Sequence, residues 1–297
     1  MVQYQQCPLC GSVNIQHQLT VKDHTVSRQD FDIWQCTGCT GRFTQNIPAE
    51  SDIGPFYKSD SYISHTNTKT GLINWLYHQV RKKTLRSKRN IITKATGLRN
   101  GKVLDIGCGT GAFLNTMKHF GWSVTGLEPD ADARKIAAEL YQVSPQLPEV
   151  LFDFPSLTYN AVTMWHVLEH VHNLHGYLKQ ISNVLKDDGV LFIAVPNYTA
   201  KDAQIYQEHW AAYDVPRHLY HFSPNSMKKI LLQHGMQIKK IKPMWFDSFY
   251  VCLLSEQYRN GKNNFIKAMW NGLRSNWKAF YNKEKCSSII YIIEKKV

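Results

Sequence analysis

The sequence predicts an α/β protein in which a parallel sheet with crossover helices follows a small cysteine-rich unit. Apolar strands alternate with helical segments from residue 102 onward, a glycine-rich turn joins the first strand to its helix, and two cysteine pairs precede them. Of the 297 residues, 43% are apolar and 20% charged, so the chain can bury a sizeable core and is not disordered. At about 150 residues a domain this length suggests two domains. We place the unit boundaries at residues 1–50, 51–98 and 99–297.

Two cysteine pairs define the first unit. Cys7 and Cys10 belong to one tight turn, and Cys36 and Cys39 to a second. Each turn offers half of a tetrahedron of thiolates, so the four side chains predict a structural zinc ribbon, with a hairpin through residues 13–21 and 31–34. A redox pair is the alternative, but such motifs occur singly, whereas two pairs fall within 33 residues here. The total of seven cysteines is odd, which disfavours a disulfide framework.

A linker and a basic helix form the second unit, which we interpret as a lid. Residues 51–70 are rich in Ser, Thr, Asp and Gly, and residues 72–95 have the composition of a helix. Between Tyr62 and Leu104 there is no Asp or Glu, but there are ten basic residues: Lys69, Arg81, Lys82, Lys83, Arg86, Lys88, Arg89, Lys94, Arg99 and Lys102. Together with the net charge of +12, this favours a polyanion, a phosphorylated substrate or an anionic membrane surface as a partner. A solvated helix is the alternative.

The third unit alternates strands with helices. Strands are predicted at residues 102–106, 123–127, 161–165, 190–195, 236–244 and 288–294, with only a short strand between 142 and 155. Helices are predicted at residues 112–120, 130–141, 174–185, 223–234 and 265–280. Pro224 at the first helical position and Gly235 after the last one support the fourth of these helices.

The turn after the first strand carries the strongest functional signal. It reads Asp105-Ile-Gly107-Cys-Gly109-Thr-Gly111, and Glu128 follows 21 residues after Gly107, at the end of the second strand. Glycines there let a cofactor lie against the backbone, and an acidic side chain at that distance can accept both hydroxyls of a ribose. Taken singly, Asp105 could stabilise the turn and Glu128 could be a helix N-terminal charge.

In these residues the chain resembles the class I S-adenosylmethionine (SAM)-dependent methyltransferases over residues 100–297. The resemblance implies a Rossmann-like sheet of seven strands with the last one antiparallel. It also implies that the three glycines pass beneath the methionine part of SAM. Asp105 would orient the amino group of SAM through water, Glu128 would hold the ribose, and Asp153 would face the adenine amine.

Two histidine segments follow the later strands. The first, Trp-His166-Val-Leu-Glu-His170, matches an inverted zinc-protease motif, but it leaves a strand of a nucleotide-binding sheet. It resembles the turn that caps the cofactor in polysaccharide- and quinone-modifying methyltransferases, which makes His166 a cofactor contact. A role as pocket wall is the alternative for each histidine.

The second histidine segment follows the fifth strand and runs from Trp210 through Pro-Arg-His-Leu-Tyr-His to Phe222. It resembles a Pro-Arg-His-Leu-x-His-Phe element of the same methyltransferases. This resemblance makes Asp214 and Arg217 candidates for binding the acceptor. His218 and His221 are the first candidates for the general base and His170 the second, because a hydroxyl acceptor must lose a proton. A helix-capping loop is the alternative.

The resulting hypothesis is a methyltransferase with an N-terminal zinc ribbon. Its resemblance to bacterial sugar and cell-envelope polysaccharide methyltransferases implies a small-molecule acceptor, such as a lipid- or nucleotide-linked sugar. An RNA methyltransferase that binds phosphates through its ribbon and basic helix is the alternative, and a non-catalytic zinc-dependent binding module is the third interpretation. No apolar run reaches the roughly 20 residues of a membrane span, and no signal peptide is evident, so we expect a cytoplasmic protein. The oligomeric state stays open.

Overall fold

The strands of the protein form two sheets of unequal size. The computed structural model describes residues 1–57, 72–262 and 264–296. A four-stranded sheet has the order β1-β2-β3-β8, and a six-stranded sheet has the order β5-β4-β6-β7-β10-β9. The strands are β1 Ile15–Lys22, β2 Asp30–Cys36, β3 Arg42–Thr44, β4 Lys102–Ile106, β5 Ser123–Leu127, β6 Tyr159–Trp165, β7 Leu185–Pro196, β8 Tyr220–His221, β9 Met236–Pro243 and β10 Ser288–Lys295.

Eight helices surround the large sheet in the described residues. They are α1 Leu72–Thr96, α2 Ala112–His119, α3 Ala131–Tyr141, α4 Leu174–Val184, α5 Lys201–Tyr206, α6 Pro224–Gln233, α7 Asp247–Asn260 and α8 Phe265–Tyr281. Asp130 caps α3 by accepting from the Ala133 amide, and Ser223 caps α6 in a reciprocal capping box with Ser226. Within the described residues, none of these helices is both long and apolar enough to cross a membrane.

The large sheet has the predicted strand directions but one strand fewer than predicted. Strands β5, β4, β6 and β7 are parallel, whereas β10 is antiparallel to both of its neighbours, so the prediction of an antiparallel last strand is confirmed. In place of a seventh strand beside β5, a single bridge joins Leu127 to Gln146. Pro145 and Pro148 flank Gln146, and proline lacks the amide hydrogen that a sheet ladder requires. The described sheet therefore has six strands rather than seven.

The core lies on both faces of this sheet. Residues 190–195 of β7 are buried without interruption, which is typical of a strand covered on both sides. Ile91 and Ile92 from the second half of α1 pack on one face with Phe113, whereas Leu178 and Ile181 of α4 pack on the other. The basic helix is thus part of the core at its C-terminal end, while residues 58–71 of the predicted lid lie outside the described residues.

The cysteine-rich unit is joined to the rest of the chain by a shared sheet. Strand β3 pairs on one side with β2 and on the other with β8, which belongs to the second histidine segment. Further bonds cross the same boundary: the Lys229 ammonium donates to the Gly38 carbonyl, and the Asn225 amide donates to the Cys39 carbonyl at 3.0 Å. The first unit therefore packs directly against the segment for which an acceptor site was predicted. The unit boundaries themselves stay a prediction.

Candidate functional site

The glycine turn forms an open cradle at the carboxyl end of β4. Gly107, Gly109 and Gly111 all have positive φ angles of 71°, 53° and 77°, and Gly111 is the N-cap of α2. A Cβ atom on Gly107 would lie 2.4 Å from the Val167 side chain, so this position requires glycine. A Cβ atom on Gly109, by contrast, would meet no described heavy atom within 4 Å. The turn thus leaves space above Gly109 while the first histidine segment lies against Gly107.

Glu128 lies beside this turn at the end of β5. One of its carboxylate oxygens accepts from the Gly109 amide at 2.7 Å, and the other accepts from the Asp130 amide at 3.0 Å. The residue is 8% exposed, and burial raises the pKa of its carboxyl group despite these two hydrogen bonds. Glu128 and the glycine turn are therefore in contact, as the 21-residue spacing predicts.

Asp105 is a buried residue of β4, two positions before Gly107. Its carboxylate accepts a hydrogen bond from the Thr163 hydroxyl at 2.5 Å. Burial raises the pKa of Asp105 to about 7, against the lowering effects of Thr163 and the nearby Lys88 ammonium. The Lys88 ammonium lies 4.3 Å from the centre of the Trp165 ring, and burial lowers its pKa to about 8. Lys88, which sequence reasoning treated only as part of a basic run, thus belongs to this site.

Asp153 is far less integrated into the site. It is the exposed last residue of a 3₁₀ helix, Pro148–Asp153, and follows the Gln146 bridge by seven residues. The hydrogen bonds described for Glu128 and for the glycine turn do not include Asp153. An adenine contact by Asp153 stays an untested prediction.

His166 joins the end of β6 to the start of α7. It has a φ angle of 58°, its Nε2 atom lies 3.2 Å from Asp247 Oδ2, and its Nδ1 atom lies 3.5 Å from Glu169 Oε1. Burial alone would lower the pKa of His166, but the two carboxylates outweigh it and raise the pKa to about 10. Each ring nitrogen of His166 therefore faces an acidic side chain, an arrangement that favours the protonated imidazole. Asp247 comes from α7, a helix that the sequence pattern did not predict.

The structure brings His170 and His218 together beside Glu169. Their rings meet edge to face with centroids 4.6 Å apart. The Nδ1 atom of His218 donates to the Ala212 carbonyl at 2.9 Å, so this ring carries its lone pair on Nε2. The Nδ1 atom of His170 lies 3.0 Å from both the Arg217 carbonyl and the Tyr57 hydroxyl. Burial and the neighbouring His218 lower the pKa of His170 to about 4. The two predicted histidines thus form one cluster, although they lie 48 residues apart in the chain.

Glu169 completes this cluster from a fully buried position. Burial would raise the pKa of its carboxyl group, but His166 and the other histidines keep that pKa below its ordinary value. Its Oε1 atom lies 3.5 Å from His166 Nδ1, and no hydrogen bond to its Oε2 atom is found within the described residues. Glu169, His170 and His218 each offer one ligand atom, and these atoms lie within 4.8 Å of one another. Glu169 belongs to the His-x-x-Glu-His motif, but the sequence did not lead us to predict a role for it.

His221 is turned away from this cluster. It is buried in β8, where its Nε2 atom lies 3.1 Å from the Thr44 hydroxyl and its ring meets Tyr213 edge to face. Burial holds the pKa of His221 well below the ordinary value. These contacts tie His221 to the cysteine-rich unit, so the geometry does not favour the predicted role as a general base.

Arg217 and Asp214 likewise form an ion pair, and Arg217 also pairs with the cysteine-rich unit. Arg217 is 1% exposed, and its guanidinium donates to Asp214 at 2.6 and 3.0 Å, to Asp23 at 3.1 Å and to the Phe56 carbonyl at 2.9 Å. Burial would raise the pKa of Asp214, but the guanidinium outweighs it and lowers that pKa. The predicted acceptor contact of this pair is not favoured, because the guanidinium is already engaged with the cysteine-rich unit. Sequence reasoning missed Asp23, its partner 194 residues away.

The four cysteines lie together as predicted. Sγ of Cys7 lies 3.6 Å from Sγ of Cys39, and Sγ of Cys10 lies 3.6 Å from Sγ of Cys36. Thiolates about 2.3 Å from a tetrahedral zinc ion are separated by roughly this distance. The Cys39 amide points at Cys36 Sγ at 3.4 Å, and the Gly41 amide points at Cys39 Sγ at 3.3 Å. The donor set and its spacing fit a structural zinc ion.

Comparisons with known proteins find sequence similarity to methyltransferases. A family model described as "Methyltransferase domain" matches residues 77–241. The ubiquinone biosynthesis O-methyltransferase of Glaesserella parasuis is 38% identical over 119 residues, which cover 36% of this chain and 50% of that protein. The mitochondrial ubiquinone biosynthesis O-methyltransferase of Rattus norvegicus is 29% identical over 165 residues, 50% of this chain and 48% of that protein. The chain thus spans about half the length of these curated relatives.

A solved structure supports the fold independently. The SAM-dependent methyltransferase from Archaeoglobus fulgidus superposes with a TM-score of 0.50 at 22% sequence identity, covering 73% of this chain and 94% of that one. At this level of identity the likeness concerns the fold alone.

Proposed function

The chain belongs to the methyltransferase domain family, with the fold of the class I SAM-dependent enzymes, and on that premise we propose that it methylates a hydroxyl oxygen of a small or lipid-linked acceptor. The observation that carries the proposal is the histidine cluster next to the glycine turn. Val167 contacts Gly107, so the segment from His166 to His170 lies along the space in which a cofactor would rest. Ligands of such sheets bind at the carboxyl ends of the strands, where both features lie.

The cofactor would be held by residues that already contact one another. Gly109 offers an open backbone surface, Glu128 offers two carboxylate oxygens for the ribose hydroxyls, and Asp105 offers a buried charge for the ammonium group. SAM supplies an activated methyl group, so the protein has to align the acceptor and exclude water. We assign His166 and its two carboxylate partners to the wall near the reacting groups.

His218 is our candidate for the general base. Its Nδ1 hydrogen is engaged by the Ala212 carbonyl, so Nε2 presents a lone pair to the cluster. SAM, when bound, would supply the activated methyl group for the acceptor oxygen, and His218 Nε2 would take the proton that the hydroxyl loses. His170 is not our first candidate, because burial and the neighbouring His218 lower its pKa to about 4, and we place it as the residue that positions His218.

We propose two classes of methyl acceptor. The names of the relatives, ubiquinone biosynthesis O-methyltransferases, support an oxygen acceptor on an aromatic ring. A lipid- or nucleotide-linked sugar is our second acceptor class. The four-cysteine unit favours it, because this unit lies outside the matched residues 77–241 and resembles the head of bacterial sugar methyltransferases.

Transfer of a radiolabelled methyl group from SAM tests the proposal. The zinc-loaded protein would be offered a prenylated catechol, a polyprenyl-diphosphate sugar and a structured RNA, each at low and physiological salt. We expect turnover with one of the first two. His218→Gln should lower kcat by about 10²–10⁴-fold, the range for a general base, whereas the exposed His119→Gln should not change it. Efficient transfer to RNA at physiological salt would contradict the proposal in favour of the RNA alternative.

A further inference from the structure

Helix α8 exposes an unusually large aromatic face. Of its 17 residues, seven large apolar or aromatic side chains are more than half exposed, and Trp270 and Trp277 reach 63% and 66%. The seven are Phe265, Ile266, Trp270, Leu273, Trp277, Phe280 and Tyr281. Six of them recur at helical spacing from residue 266, so they form one stripe along the outer side of the helix. A contiguous apolar patch of this kind marks an interaction surface.

The opposite face of α8 explains why the aromatic stripe must face outward. The buried positions carry small or polar residues: Ala268, Asn271, Gly272, Ser275 and Ala279. A Cβ atom on Gly272 would lie 2.6 Å from the Phe249 ring, so α8 packs closely on α7. The Asn271 amide donates to the Tyr206 hydroxyl at 2.9 Å, and the Ser275 hydroxyl donates to Asp202 at 2.5 Å. These buried hydrogen bonds fix the rotation of the helix.

Positive charge accompanies the aromatic stripe. Lys267, Arg274 and Lys278 lie on one flank of it at about 100° per residue, and α8 contains no Asp or Glu. Lys267 lies 3.7 Å from the buried Glu256, whereas Arg274 and Lys278 are exposed. The patch continues to the start of α7, where Trp245 and Phe246 are 39% and 49% exposed and the Asn276 amide donates to the Trp245 carbonyl.

We propose that α8 docks the protein on an anionic phospholipid membrane. The aromatic side chains would enter the boundary between headgroups and acyl chains, while the flanking Arg274 and Lys278 meet lipid phosphates. A helix with one tryptophan-rich face, a basic flank and no acidic residue has the composition of an interfacial helix. Charge complementarity favours an anionic membrane over a second copy of the protein as the partner of α8. Two copies of this helix would bring positive charges together, because α8 contains no acidic residue. The docking is independent of the methyl acceptor.

Sedimentation with lipid vesicles tests this docking surface. The full zinc-loaded chain should bind vesicles of phosphatidylcholine with 30–40% phosphatidylglycerol, roughly the share that gives a strong negative surface potential. Binding should weaken with added salt and be much lower on pure phosphatidylcholine. The double variant Trp270→Ser/Trp277→Ser should reduce vesicle binding at least tenfold, whereas Leu140→Ser, which removes a 54% exposed apolar side chain from α3, should leave it unchanged. Arg274→Gln and Lys278→Gln should each cost about fivefold on anionic vesicles.

Two control measurements show whether the double variant remains folded. S-adenosylhomocysteine binding and the thermal midpoint of the double variant should match the wild type, because the two tryptophans lie on the exposed face. Equal vesicle binding by the wild type and the double variant would overturn the docking surface. If light scattering shows a wild-type dimer that the double variant loses, with no vesicle binding by either, then a second copy of the chain covers the stripe instead.

Discussion

At the scale of single residues, the proposed role of Asp105 predicts that cofactor binding depends on pH. Its folded pKa of about 7 lies above the roughly 3.9 of an unfolded aspartate, so the folded state binds the extra proton between these values. Stability from this group is therefore present at low pH and is lost as pH rises through that window. Cofactor binding should show the opposite dependence, because the cofactor ammonium is stabilised by an ionised carboxylate.

Calorimetry with S-adenosylhomocysteine measures this dependence. The affinity should rise by up to about tenfold per pH unit below pH 7 and then level off, with net release of a proton on binding at pH 6. Asp105→Asn should abolish the proton release and flatten the profile. A wild-type affinity that does not change between pH 5.5 and 7.5 would contradict the assignment of Asp105 to the ammonium group.

A second prediction for a single residue concerns the effect of Glu128 on cofactor binding. Glu128→Ala should weaken S-adenosylhomocysteine binding by about 1–3 kcal/mol, the range for hydrogen bonds to a charged group. Glu139→Ala on the exposed side of α3 is the matched control and should bind normally. Because Glu128 also accepts from the Gly109 and Asp130 amides, thermal unfolding must show that the variant remains folded. Unaltered binding by Glu128→Ala would mean that the ribose is held elsewhere.

At the scale of elements, the pairing of β3 with β8 couples the cysteine unit to the histidine segment. Cys36→Ser should lower the zinc content from one equivalent toward zero and increase hydrogen exchange in β1–β3. The increase should extend to β8, since Phe43 of β3 pairs with Tyr220. Cys252→Ser, at a buried cysteine outside the cluster, should retain one zinc. Two equivalents in the wild type would instead indicate a second metal at Glu169, His170 and His218.

The elements also show which parts of the fold local sequence patterns can predict. β4 and β5 have the predicted bounds because they are short apolar runs ended by turn residues, and α8 begins at the predicted Phe265. Helix α7 was missed because its buried positions are Ser248, Cys252, Ser255 and Glu256, so hydrophobic periodicity does not reveal it. The seventh strand was predicted although prolines prevent its ladder.

The candidate site likewise contains residues that local sequence patterns predict and residues that they do not. The glycine turn, Glu128 and the four cysteines come from motifs with fixed spacing, and the structure places each group together. The contacts of Arg217 and His221 with Asp23 and Thr44 could not be predicted, because these partners lie more than 170 residues away in the chain. Lys88 was overlooked because a basic run does not show which of its members lies over an aromatic ring of the sheet, as Lys88 does over Trp165. Contacts between distant segments are set by tertiary packing, which the local pattern does not encode.

At the scale of the whole molecule, three parts act on one site. The mixed sheet positions the glycine turn, Glu128 and Asp105 at its carboxyl edge. The cysteine unit holds the Arg217–His221 segment through β8 and the Asp23 ion pair, which sets the position of His218. The α1 helix contributes Lys88, whose ammonium lies over the ring of Trp165 at the end of β6. The account therefore requires that the folded, zinc-loaded chain present one cofactor site.

Titration of the zinc-loaded wild-type protein with S-adenosylhomocysteine shows whether the chain has this cofactor site. We expect saturable binding at one site per chain, weakened by the Glu128 and Asp105 variants and unaffected by the α8 variants. Circular dichroism and metal analysis on the same sample would establish that the protein is folded and contains zinc. No heat of binding and no competition with SAM by such a sample, at any pH between 6 and 8, would contradict the account.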